Sequence, residues 1–134
     1  MGKGQVSFEY LFVVGFTFLL LTPLIVLYSQ TQKDSSDSLI EAQARNAASA
    51  IRDAAERVYI AGPAARETID VVFPDGVIAT NLTNTSIILT MRGGSGWYDL
   101  LIPSAAPLNG SLQTFHGRHV VRLENNGTLV QVFG

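Results

Sequence analysis

GQVSFEYLFVVGFTFLLLTPLIVL, residues 4–27, follows a leader with one lysine, Lys3, and places a single acid, Glu9, ahead of a long apolar run. No charged residue occurs between Tyr10 and Gln32. That length fits a bilayer-spanning helix, and in hydrocarbon a single span must satisfy its backbone internally, which makes it helical. Glu9 is the unusual residue, because a carboxylate at the edge of hydrocarbon needs a partner. One partner is the helix N-terminus, whose macrodipole favours an anion by roughly 0.3–1 kcal/mol. A second arises if the chain is cut between Gly4 and Gln5. Glu9 is then the fifth residue of a chain with a free, positively charged amine. In a bundle of parallel, staggered helices that amine pairs with Glu9 of a neighbour, and the cost of an unpaired buried carboxylate fixes the register.

Met1-Gly2-Lys3-Gly4 followed by Gln5-Val6-Ser7-Phe8-Glu9-Tyr10-Leu11 resembles the class III signal peptide of archaeal type IV pilin-like proteins, with the motif QxSxEYL after a basic residue and glycine. The resemblance implies cleavage by a prepilin peptidase before Gln5 and delivery to a pilus assembly platform. It also implies apolar helices bundled in a filament core. The expected fold is α+β: a long N-terminal helix, apolar in its first half, packed against a small antiparallel β-sheet head. The implied layout is a leader over residues 1–4, a transmembrane or filament-core helix over 5–32, an amphipathic extension over 33–62 and an extracellular β-rich head over 63–134.

The chain has 134 residues, which leaves room outside the apolar run for one small domain. A net charge of −2 gives no reason to expect a nucleic-acid partner. The absence of cysteine excludes disulfides and thiolate metal sites and is neutral towards export. Lys3 precedes the apolar run, whereas residues 30–37 hold Lys33 with two aspartates. The positive-inside rule therefore puts the N-terminus in the cytoplasm and the head outside. A secretory signal peptide fits less well. The apolar run exceeds the usual h-region, Ser29-Gln30-Thr31 is not a small-residue cleavage site, and Ala42-Gln43-Ala44 falls within a helical pattern.

Pro23 interrupts the apolar run, and a kink is expected there. Gly15 has no second small residue four positions away to make a helix-dimer face. Beyond residues 34–38 the positions Leu39, Ile40, Ala44, Ala47, Ile51, Ala54 and Val58 recur by threes and fours, a helical stripe. Asp53 with Arg57 and Arg52 with Glu56 have the spacing of helix-surface ion pairs. Gly62-Pro63 ends the pattern, so one helix is expected over residues 8–60. From Glu67 the period becomes two. Ile69, Val71 and Phe73 precede a Pro74-Asp75-Gly76 turn, with Val77 and Ile78 beyond it; Ile87, Leu89 and Met91 precede a glycine-rich tip at 93–96; Tyr98, Leu100 and Ile102 follow. Residues 103–110 read as loop. A two-residue turn at Asn126-Gly127 sets Leu123 opposite Val130, Val121 opposite Val132 and Arg122 opposite Gln131. A curled antiparallel sheet of about five strands, covered on one face by the helix, is expected.

Four N-x-[ST] sequons begin at Asn81, Asn84, Asn109 and Asn126, all in the expected outside domain. They are candidate N-glycosylation sites, a modification common in the family the chain resembles, although these residues also favour turns. His116 and His119 have no third ligand nearby, so no metal site is assigned. The glycines at 93–96 lack the lysine of a phosphate-binding loop, and Ser104, Asp99 and His116 form no nucleophile motif. Trp97 and Tyr98 suit an adhesive surface or a core. No catalytic residue, cofactor or enzymatic activity is expected. The resulting expectation is a structural subunit of an extracellular adhesion filament, a homo-oligomer that waits in the membrane as a single-pass protein before assembly. The alternative is a minor pilin or a membrane-anchored binding or accessory protein.

Overall fold

The computed structural model describes residues 2–134 and is α+β, with one long N-terminal helix, α1 (Gly2–Ala61), followed by seven strands. The chain forms two compact units, the first ending at Ser36 and the second running from Asp37 to Gly134.

In the first unit the helix presents its apolar side chains outward, and Pro23 lies inside the continuous helix. Proline removes one main-chain donor. Beside it, Thr22 Oγ1 donates to the Phe18 carbonyl at 2.8 Å, and Thr17 and Thr31 make the same backward bond to Val13 and Leu27. The hydroxyls within the apolar run are thus satisfied by their own helix, the arrangement a medium without water requires.

In the second unit the helix buries Ala44, Ala47, Ala48, Ile51, Ala54, Ala55 and Val58. Alanine on this stripe keeps the side chains short, so strands can approach closely. Leu39, expected on the stripe, is exposed, and Ile40 is only partly buried. The ion pairs also differ from those expected from spacing. Arg52 bonds its neighbour Asp53, Arg57 makes a two-point contact with Glu67 of the first strand, and Arg45 pairs with Glu41. Glu56 instead accepts the Ala105 N–H at 3.1 Å, which draws it away from Arg52. The helix stops where Gly62 takes a φ of 100°, a left-handed C-cap, with Gly62 N–H donating to the Tyr59 carbonyl.

The strands are β1 (Arg66–Phe73), β2 (Val77–Leu82), β3 (Ser86–Gly93), β4 (Gly96–Pro103), β5 (Leu108–Ser111), β6 (Gly117–Asn125) and β7 (Val130–Phe133). They form two sheets, ordered β1-β6-β7-β5 and β2-β3-β4. This corrects the expectation of about five strands in one antiparallel sheet. Although Pro74–Gly76 is a turn, β1 does not pair with β2. It pairs with β6, so the turn carries the chain from one sheet to the other. The stretch expected to be loop contains β5, which runs parallel to β7. The glycine-rich tip is a hairpin turn, with Gly93 opposite Gly96.

The β6–β7 register also departs from expectation. Leu123 faces Val132, Asn125 faces Val130 and Arg122 faces Phe133, each shifted by two residues. The connection is Asn126 to Leu129, closed by the Asn126 N–H to the Leu129 carbonyl and by Asn126 Oδ1, which accepts from the N–H groups of Thr128 and Leu129. A shift of two preserves the alternation, so Val121, Leu123, Val130 and Val132 remain buried together. One apolar core joins them to the helix stripe and to Phe73, Ile87, Leu89 and Met91.

Candidate functional site

The features that have no role in folding the head lie in the first unit. Gly4 and Gln5 occupy exposed positions in the first turns of the helix, and Glu9 is exposed one turn further on. The apolar residues that follow remain open, including Phe8, Leu11, Phe12, Phe18, Leu24 and Ile25. An 18-residue window has a mean hydropathy of 2.4 with none of it buried, so the helix is long and apolar enough to cross a membrane. Large exposed apolar surface of this extent marks contact with lipid or protein. Gly15 has nothing within 4 Å of where a Cβ would stand. It forms the floor of a notch of about 370 Å³ bordered by Phe8, Leu11, Phe12, Phe16 and Leu19.

The four sequons fall into two kinds. Asn109 and Asn126 are engaged through Oδ1, the first with Gly110 N–H at 2.8 Å and the second in the turn already described. Gly110 has a further structural reason, because a Cβ there would stand 2.0 Å from the Val132 carbonyl oxygen. Asn81 in β2 and Asn84 in the β2–β3 turn are exposed. The Thr83 hydroxyl closes that turn, accepting from Ser86 N–H and donating to the Ser86 carbonyl, both at 3.0 Å.

His119 is buried in β6. Its Nε2 is 2.7 Å from the Phe115 carbonyl, and its ring packs edge-on against Phe73 and Phe115. His116 is exposed, and among the described residues no group of three or more His, Cys, Asp or Glu is placed to hold a metal. Ser104, in the connection after β4, donates to the Ala106 carbonyl, and Asp99 of β4 accepts from Thr90 of the neighbouring strand β3, so both bonds serve local structure.

Trp97 is 64% exposed and lies under the Arg92 guanidinium, 5.7 Å from its ring centroid. Tyr98 points to the other side of β4, into a small recess shared with Asp37, Ser38 and Glu41 of the helix and with Gly93 to Ser95 of the hairpin. Partial burial, then the charges of Glu41 and Asp37, raise the Tyr98 phenol above its usual pKa. On the helix, Arg57 is held still more firmly protonated, chiefly by its hydrogen bond to Glu67.

Two residues of structural weight were not singled out by the sequence. Asn125 is buried, and its amide joins the helix end to the β6–β7 connection. Gly110 allows the close approach of β5 to β7. The available signal was the Asn125-Asn126-Gly127 run, which marks a turn without showing which asparagine faces inward. No protein-family model, curated protein or solved structure matches the chain.

Proposed function

We propose that the protein is a filament-forming structural subunit of the type IV pilin-like kind, anchored in the membrane before assembly and displayed at the cell surface afterwards. The observation that carries this reading is the coupling of a fully exposed, charge-free apolar helix to an independently cored α+β unit, with Glu9 alone at the start of the apolar segment. A plain anchor requires the apolar helix but not the Gln5-to-Leu11 pattern that precedes it. In this scheme a prepilin peptidase cuts between Gly4 and Gln5, and the helix exchanges lipid for neighbouring helices. The notch over Gly15 accepts a side chain from one of them. The new amine pairs with Glu9 of an adjacent copy, and the head forms the outer surface.

Intact mass and N-terminal peptide analysis of protein from sheared surface filaments tests the reading, allowing for cyclised glutamine. A chain starting at Gln5 and abundant in the filament fraction is expected. A processed chain that is sparse there assigns a minor subunit. An uncut chain that stays with membranes overturns filament assembly in favour of an anchored binding protein.

A further inference from the structure

The three-stranded sheet has an outer face with no covering element. Cross-strand pairing places its side chains in rows, because directly opposed residues share a face. Asn81 is opposite Ile88 and Ile88 is opposite Leu101; Thr90 is opposite Asp99; Arg92 is opposite Trp97. The inward residues of the same strands, Ile87, Leu89, Met91, Leu100 and Ile102, are buried, so these rows point outward. The surface therefore combines two large exposed apolar groups, Leu101 at 55% and Trp97 at 64%, with polar groups held in place beside them. Thr90 donates to Asp99 at 2.7 Å, and Arg92 lies over the indole.

We propose that Asn81 carries an N-linked glycan that folds back across this face and covers Leu101, in its own row, and Trp97, two rows along. This rests on the export of the head in the proposed function. Asn81 stands at one end of the row, exposed, with no hydrogen bond to its side chain among the described residues, whereas Asn109 and Asn126 are held through Oδ1. Leu101 lies two strands away, about 10 Å at ordinary strand spacing, within reach of the first sugars of a glycan, and Trp97 lies four residues further along β4, about 13 Å, within reach of the sugars beyond them. Sugar rings match such a surface, since their C–H faces pack on an indole and an aliphatic side chain. Asp99 and Arg92 offer an acceptor and donors to the hydroxyls. In the transfer step a bond forms between Asn81 Nδ2 and C1 of a sugar carried on a lipid-linked phosphate. The C1–O bond to the phosphate breaks, the phosphate leaves with the bonding electrons, and Nδ2 gives up one proton.

Trp97 is the single tryptophan of the chain, so its fluorescence reports this face alone. The test is glycopeptide mass analysis with acrylamide quenching of the protein from its producing cells, compared with Asn81→Gln, Asn81→Ser and Asn84→Gln. A hexose-bearing Asn81 is expected, with quenching roughly twofold weaker in the parent and in Asn84→Gln than in either Asn81 variant, as covering an exposed indole requires. Circular dichroism verifies that the variants retain the fold. An unmodified Asn81, or a modified one whose removal leaves quenching unchanged, overturns the proposal. The N-terminal peptide in the same spectra reports processing at Gln5 separately, so failure here is distinct from failure of the filament reading.

Discussion

The Asn125 side-chain amide donates to the main-chain carbonyl of Val58, 67 residues earlier, at 3.3 Å. It reaches the Tyr59 carbonyl at the same distance, while its Oδ1 accepts the Gly127 N–H at 2.8 Å. The last carbonyls of a helix lack intrahelical partners, and here one side chain from the sheet bonds that of Val58 and adds to the Gly62 N–H already bonded to that of Tyr59. The main chain reinforces the junction: Ala64 N–H donates to the Asn125 carbonyl and Asn125 N–H to the Ala65 carbonyl, both at 2.9 Å. Asn125→Ala is expected to destabilise the head by about 1–3 kcal/mol, the cost of leaving buried polar groups unpaired. Asn125→Asp should cost more, because a carboxylate would face carbonyls at the negative end of the helix dipole. Chemical denaturation of the full chain in detergent reads both. Parent-like stability of Asn125→Asp would remove the capping role.

Gly110 should be the least replaceable glycine of the head. Its φ is 136° and an added Cβ would meet Val132 main-chain atoms at 2.0 and 2.9 Å. Backbone cannot move aside as a flexible side chain can. Gly110→Ala is expected to cost about 3 kcal/mol or more and to separate β5 from β7. Gly96 has the same φ but open space around it, so Gly96→Ala should show the conformational cost alone, about 1–3 kcal/mol. Equal melting temperatures for the two variants would show that the close approach to Val132 carries no weight.

Tyr98 gives the head a defined alkaline response. Burial and the nearby carboxylates of Glu41 and Asp37 raise its folded pKa above the unfolded value of about 10. Above that pH the unfolded chain loses its phenolic proton before the folded chain does, so stability falls as pH rises. The contribution is fully present below the unfolded pKa and is lost as pH rises through the folded one. Tyr98→Phe is expected to flatten the stability profile above pH ~10. A slope identical to that of the parent would exclude Tyr98 as its source.

How much was legible in the sequence follows from which physical signals repeat. The helix was legible over residues 8–60 because an uncharged apolar run and a threefold-to-fourfold stripe each extend over many residues, with Gly62 as a clear stop, whereas its extension back to Gly2 carries no such pattern. Inward residues of the strands were legible from parity, and parity also survived the error in the β6–β7 turn. Asn126 Oδ1 makes a longer connection by binding Thr128 and Leu129 N–H groups, and the resulting shift of two leaves every side chain on its expected face. Partnership between strands was not legible. The pairing of β1 with β6 joins segments about fifty residues apart, and β5 has a single inward apolar residue, Leu108, too little for a pattern. The candidate site divides the same way. The expected roles of Glu9 and of a cut between Gly4 and Gln5 come from a local motif, whereas the unlike settings of Asn81 and Asn109 depend on local backbone conformation that the sequon does not fix, Asn109 Oδ1 accepting from the N–H of the next residue.

In the proposed filament the Glu9 carboxylate separates assembly from folding. It is exposed on the first unit and makes no contribution to the core of the second, so Glu9→Ala should leave the head's melting temperature unchanged. The apolar run is equally unaffected, and insertion and cleavage before Gln5 are expected to proceed. On the proposed function, what is lost is the partner of the new amine. A buried ion pair contributes little net stability but penalises every arrangement that leaves one member alone, a penalty of about 3–5 kcal/mol when a partner is removed. With Glu9 absent, the amine has no such preference among staggers, and filaments should be missing or irregular while processed subunit accumulates in membranes. Glu9→Gln separates charge from shape: a neutral amide of similar size can accept a hydrogen bond from the ammonium but leaves its charge uncompensated, so filaments should fail as they do with alanine. Electron microscopy of sheared fractions, alongside the N-terminal mass, distinguishes the outcomes. Regular filaments from Glu9→Gln would assign the position to packing, and regular filaments from both variants would remove Glu9 from the register altogether.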